Sequence, residues 1–108
     1  MPNTFKNARL ALTGSAVTAY TVPASTTTIV LQLQATNVDN SGAQAVTATW
    51  YDNSATATTN LVKALSVPSN AAVGLLAGKL VLETGDYIQL SSTAGSLIEC
   101  TISVLEIS

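Results

Sequence analysis

Few residues in this chain could carry chemistry. Glu83 and Asp86, in the run Glu83-Thr84-Gly85-Asp86, are the two carboxylates nearest each other in the sequence. Paired acids can cleave glycosides, but acids beside a turn glycine are ordinary turn formers, and the turn role is the expectation here. Asp39, Asp52, Glu99 and Glu106 are scattered, and neither Asp39 nor Asp52 opens the D-x-D-x-D-G spacing of a calcium loop. Histidine is absent, which removes the usual base for serine and cysteine nucleophiles and the commonest metal ligand. No glycine-rich phosphate loop occurs. The single Cys100 cannot form an internal disulfide. It alternates with Ile98, Ile102 and Val104, the setting of a buried small hydrophobe rather than a reactive thiol. Neither catalysis nor a metal or other cofactor is expected.

Contacts with partners have more candidates. Alternation puts Trp50 with Val46 and Ala48 on an apolar side, hence in the core, and turns Tyr51 outward with Thr47 and Thr49. Tyr51 is therefore the aromatic available to a partner or a sugar face. Lys63 shares its parity with Leu61, Leu65 and Val67; an edge position, a bulge or a snorkelling side chain would each accommodate it. Phe5 is the one aromatic in a polar opening segment and could anchor it to a neighbour. Lys6, Arg9, Lys63 and Lys79 are dispersed, so the basic patch that nucleic acid requires is missing.

The elements that must position these residues read as strands. Residues 1–8 are expected as an N-terminal arm and residues 9–108 as one domain, with short strands at 9–12 and 16–22. The longest run, at 28–38, alternates with Ile29, Leu31, Leu33 and Ala35 on one side and Val30, Gln32, Gln34 and Thr36 on the other. The expectation is that Ile29, Leu31 and Leu33 hold the core. A hairpin follows through Asp39-Asn40-Ser41-Gly42 to the Trp50 strand, then a loop at 52–58 and further strands near 61–67, 72–76, 80–83, 87–92 and 97–107. Turns are expected at 83–86 and 93–96. Thr21-Val22-Pro23-Ala24-Ser25 is echoed by Ser66-Val67-Pro68-Ser69-Asn70, and both mark corners between strands because proline cannot donate to a ladder. Eight to nine short strands without a helix give an all-β, antiparallel β-sandwich of jelly-roll or immunoglobulin-like type.

Composition bounds the rest. At 108 residues the chain has room for one core. Charged residues make up 9%, against about 25% in ordinary domains, so the surface is wetted mainly by hydroxyls and amides, and coverage by neighbours would explain it. No apolar run reaches the ~18 residues of a membrane span, and the opening residues do not read as a signal peptide.

AYTVPASTTTIVLQLQATN, ALSVPSNAAVGLL, KLVLETGDYIQLSSTAG and the closing TISVLEIS resemble small virion proteins of tailed bacteriophages. Members of that family read strand, V-P-A, strand, N, then V-P, then L-x-L-x-x-G-D-x-I, and the likeness runs from Ser15 to Ser108. Ser25 and Asn70 stand where that pattern has glycine. The resemblance implies a structural role, first as a capsid decoration or cement protein bridging major capsid subunits. A tail, neck or fibre component, or a carbohydrate-binding module, is the alternative. It further implies a homo-oligomer, often a trimer, made in the host cytoplasm and carried on the outer capsid surface, with no membrane partner.

Overall fold

The computed structural model describes residues 3–93 and 97–108. Nine strands form two antiparallel sheets: β1 (Asn3–Ala11), β2 (Val17–Thr21), β3 (Thr27–Asn37), β4 (Gln44–Asp52), β5 (Ala57–Val67), β6 (Ala72–Gly74), β7 (Leu80–Leu82), β8 (Tyr87–Ser92) and β9 (Ile98–Ile107). The first sheet runs β1-β9-β3-β6, with β7 also on β3, and the second runs β2-β8-β4-β5. The two short strands β6 and β7 pair with opposite halves of β3 and act as one interrupted strand. The order is then that of a long hairpin ribbon, pairing β1 with β9, β2 with β8, β3 with β6/β7 and β4 with β5, rolled so that β3 also meets β9 and β4 meets β8. This is the jelly roll, which adjacent-strand reasoning could not separate from an immunoglobulin-like sandwich.

The echoed corners do the same job. Each carries the chain from the second sheet to the first, β2 to β3 and β5 to β6. In each, the valine before the proline is buried, Val22 at 3% exposure and Val67 at 0%. In each, the third residue after that valine is left-handed: Ser25 has φ 54° and Asn70 has φ 58°. The conformation explains why glycine is the natural occupant of these two positions.

Several expectations are corrected. The turn at 39–42 closes no hairpin, because β3 and β4 lie in different sheets and do not pair. The segment 3–8 is no arm: it is the first part of β1, registered on β9 from Asn3↔Ile107 through Ala11↔Glu99, so the domain includes it. Residues 1–2 of the expected arm, and 94–96 of the expected last turn, lie outside the described residues. In β3, meanwhile, only Leu33 of the predicted core trio is buried; Ile29 is half-buried and Leu31 is 36% exposed. A bulge between Val30 and Gln32 inserts Leu31 as an extra residue opposite β9, and one extra residue exchanges the two faces. Thr28 and Val30 face inward before it, and Leu33, Ala35 and Asn37 after it.

The core formed this way packs Val30, Leu33, Ile102 and Val104 of the first sheet against Val46, Ala48, Ile88 and Leu90 of the second. Cys100 is buried among them as expected, and burial pushes its thiol up to about 11. The bulge makes two leucines two positions apart unequal. Leu33→Ala should lower stability by about 2–5 kcal/mol, whereas Leu31→Ala should change it by about 0.5 kcal/mol or less. Urea unfolding of the two variants checks this.

Candidate functional site

The outer face of the first sheet carries an apolar row created by alternation and cross-strand register together. Cross-strand register aligns Phe5 of β1 with Leu105 of β9, Leu105 with Ile29 of β3, and Ile29 with Val81 of β7. Phe5 is 73% exposed and Val81 56%, while Leu105 and Ile29 between them are half-buried. Ile107 and the bulged Leu31 flank the row. The same face changes character along the strands: Gln32 Nε2 donates to Gln34 Oε1 at 2.9 Å and Gln34 Nε2 to Thr36 Oγ1 at 3.5 Å, beside Thr101 and Glu99 of β9. One half of the face is therefore apolar, the other an amide and hydroxyl ladder. Fully covering a Phe or Val side chain contributes about 1.5–3 kcal/mol, so the two exposed ends of the row are where a docked surface would gain most.

Behind the row, a polar cluster fixes the strand that bears Phe5. Glu106 occupies an inward position of β9 and is 7% exposed. Its Oε1 accepts from Lys6 Nζ of β1 at 2.9 Å, and its Oε2 accepts from the Tyr20 hydroxyl of β2 at 2.5 Å. Tyr20 Oη also lies 2.8 Å from Thr28 Oγ1 of β3. Strands β1, β2 and β9, from both sheets, thus meet at one carboxylate, with β3 tied in through the Tyr20 hydroxyl, and a buried acid without such partners would cost several kcal/mol. The hydrogen bond from Tyr20, reinforced by Lys6, holds the Glu106 carboxyl below its ordinary range. Burial, together with the neighbouring carboxylate, pushes Tyr20 up to about 12. The members of this cluster are scattered along the sequence, and one signal marks it there: Glu106 continues the parity of Ile98, Cys100, Ile102 and Val104.

The three sequence candidates are not brought together. Phe5 lies on the outer face of the first sheet. Tyr51 lies on the outer face of the second, stacked on its cross-strand partner Tyr87 with ring centroids 4.7 Å apart and planes at 15°. Lys63 is exposed on the edge strand β5, within the register shift between Val62 and Leu65, with Ala64 beside it at φ 52°; edge and bulge together accommodate it. Trp50 is partly buried against the core.

The fold also gathers what the sequence kept apart. Asp52 joins Glu83 and Asp86, with one carboxylate oxygen from each lying within 4.8 Å of the others. Asp86 is 1% exposed and its oxygens are already engaged: Asn53 N–H donates to Oδ1 at 2.9 Å, and Glu83 N–H and Trp50 Nε1 donate to Oδ2 at 3.0 and 3.3 Å. It ties the β7–β8 turn to the β4–β5 turn, which spans 53–56 rather than the expected loop of 52–58. Gly85 in the β7–β8 turn has φ 87°, and a Cβ there would lie 2.7 Å from the Asn53 amide.

No family model and no curated protein matches the sequence. Solved structures share its fold. The capsid of Helicobacter pylori bacteriophage KHP30 is similar over 98% of this chain and 93% of its own, with a TM-score of 0.58 at 11% identity. The pilus protein of Bacillus endospore appendages is similar over 99% and 87%, with a TM-score of 0.58 at 13% identity. The Drosophila NLP-core matches over 96% and 98%, with a TM-score of 0.57 at 10% identity. A phage capsid, a pilus subunit and a histone-binding core thus share this sandwich.

The polar cluster sets two pH limits. Because the Glu106 carboxyl is lowered in the folded state, its contribution is present above the ordinary carboxylate value of 4.5 and is lost as pH falls through the lowered one. Because Tyr20 is raised, its contribution is present below the ordinary value of 10.0 and is lost as pH rises to about 12. Urea midpoints across pH should fall at both ends for the native chain, and Tyr20→Phe should remove the part of the alkaline fall that lies between 10.0 and about 12.

Proposed function

We propose that this chain is a non-enzymatic structural subunit of a bacteriophage virion, in the first instance a decoration or cement protein that stabilises the capsid by bridging neighbouring major capsid subunits. The observation that carries this reading is the apolar row from Phe5 to Val81, which crosses the whole width of the first sheet on its solvent side. A protein with 9% charged residues and an exposed apolar row gains by being covered. The capsid protein with the same fold supports a particle setting. The Drosophila NLP-core, described in terms of pentamer formation, supports self-association as a use of this sandwich.

Bridging stabilises a shell by linkage. A subunit that binds only the assembled lattice favours the assembled state, increasingly so as its concentration exceeds its dissociation constant. The apolar row would supply the contact, and the amide ladder beside it would fix orientation through hydrogen bonds. The stacked Tyr51–Tyr87 pair lies on the opposite sheet, facing away from a surface docked on the row.

Gradient-purified particles from a culture producing the virus should contain the chain in stoichiometric amount. Phe5→Ser combined with Val81→Ser should remove it from particles while leaving its urea midpoint nearly unchanged. Particles that lack the native chain overturn the reading, and particles that retain the double variant overturn the role given to the row.

A further inference from the structure

The two sheets end in four edges, and three of them are blunted. Strand β2 is five residues long, with a register shift between Thr18 and Tyr20. Strand β5 carries two register shifts, a left-handed Ala64 and the exposed Lys63. The β6/β7 edge is broken into two pieces of three residues each. Bulges, edge lysines and brevity are the devices by which sheet proteins prevent edge-to-edge association. Strand β1 is neither short nor bulged, and its single lysine is turned inward rather than along the edge. It runs nine residues without a register shift against β9, contains no proline, and pairs with no other described strand. Its one inward charge, Lys6, is held by Glu106 and does not project along the free edge.

The ladder shows which groups that edge offers. Leu12 N–H donates to Ile98 O at 2.9 Å, at the position that continues the β1–β9 register. Antiparallel bonds to one neighbour fall on residues of one parity, so the even-numbered residues of β1 bond to β9. Asn3, Phe5, Asn7, Arg9 and Ala11 therefore point their N–H and C=O groups outward along the free edge, with side chains on the same outer face as the apolar row.

We infer that β1 is an open edge that pairs antiparallel with β1 of a second copy of this chain, centred on Asn7. Self-complementarity selects the occupant and the register. Centring on Asn7 opposes all nine residues, Asn3 to Ala11 of the second copy and back again, and closes about ten ladder hydrogen bonds. It sets Phe5 opposite Arg9 of the second copy, twice by symmetry, so that each guanidinium meets an aromatic face. Arg9 has no ion pair among the described residues and is free to do so. Centring on Lys6 or on Arg9 would instead place like charges directly opposite each other, which is destabilising in a sheet. The result is an isologous two-fold interface that joins the first sheets of two copies into one continuous sheet. It needs no capsid and stands independently of the virion role.

The test uses the purified full chain. Sedimentation velocity over the micromolar range should show a monomer–dimer equilibrium for the native protein. Asn7→Pro removes an N–H that faces the free edge and leaves the β9 ladder intact, a setting in which an edge strand tolerates proline; this variant should be monomeric with a native urea midpoint. Asn7→Cys should form a disulfide-linked dimer under mild oxidation, since paired residues about 5.5 Å apart lie within disulfide reach. Asn60→Cys, on the bulged β5 edge, should not. A native chain that stays monomeric, a dimer that survives Asn7→Pro, or crosslinking at position 60 equal to that at position 7 overturns the proposal. The cysteine pair decides the matter even if the proline variant fails to fold.

Discussion

The pairing of β3 with β9 is the constraint on which the structure rests. It is the central ladder of the first sheet, holding β1 on one side and β6/β7 on the other, and it contains the extra residue Leu31. Because a strand's side chains alternate, that insertion decides which half of β3 faces the second sheet at each point. Thr28 is thereby turned inward to meet Tyr20, and Ile29 outward to meet Leu105 and Val81. Without the bulge, Ile29 and Leu33 would share a face, and either the core or the outer apolar row would lose a member.

Scarcity of charge gives the few charged residues individual importance. Glu106 is almost fully buried and joins strands of both sheets through Lys6 and Tyr20, so the end of the sandwich where β1 and β2 come together is held by polar contacts rather than by apolar packing alone. Asp86 does the equivalent at the β7–β8 turn, with donors from three segments. In both cases an acid that looks isolated in sequence is a junction in space. Both fully satisfied sites also leave the outer faces free of structural duty, so those faces can be apolar, aromatic or amide-rich without cost to the fold.

How much could be read beforehand varied with the range of the physics. The V-P corners were legible because a proline and the left-handed residue after it act within five positions, and their echo at Ser25 and Asn70 is a local backbone fact. The outward turn of Tyr51 followed from alternation, but its stacking on Tyr87 did not, because the two residues are paired by register between distant strands. The same holds for the row through Phe5: each member is an ordinary apolar residue on its own strand, and the row exists only across four strands. Residues 3–8 resemble an arm in sequence for a related reason. Their composition is polar because β1 is an edge strand with little to bury, and polar composition resembles a loose arm until its partner β9 is seen.

The sequence alone specified an all-β sandwich, since strand periodicity and turn chemistry are properties of neighbours along the chain. The jelly-roll order, the exchange of faces at Leu31, the Glu106 junction and the unblunted edge at β1 were decided by the folded ladder. Those depend on which strands hydrogen-bond and in what register, and register is fixed jointly by both strands and the core they close over.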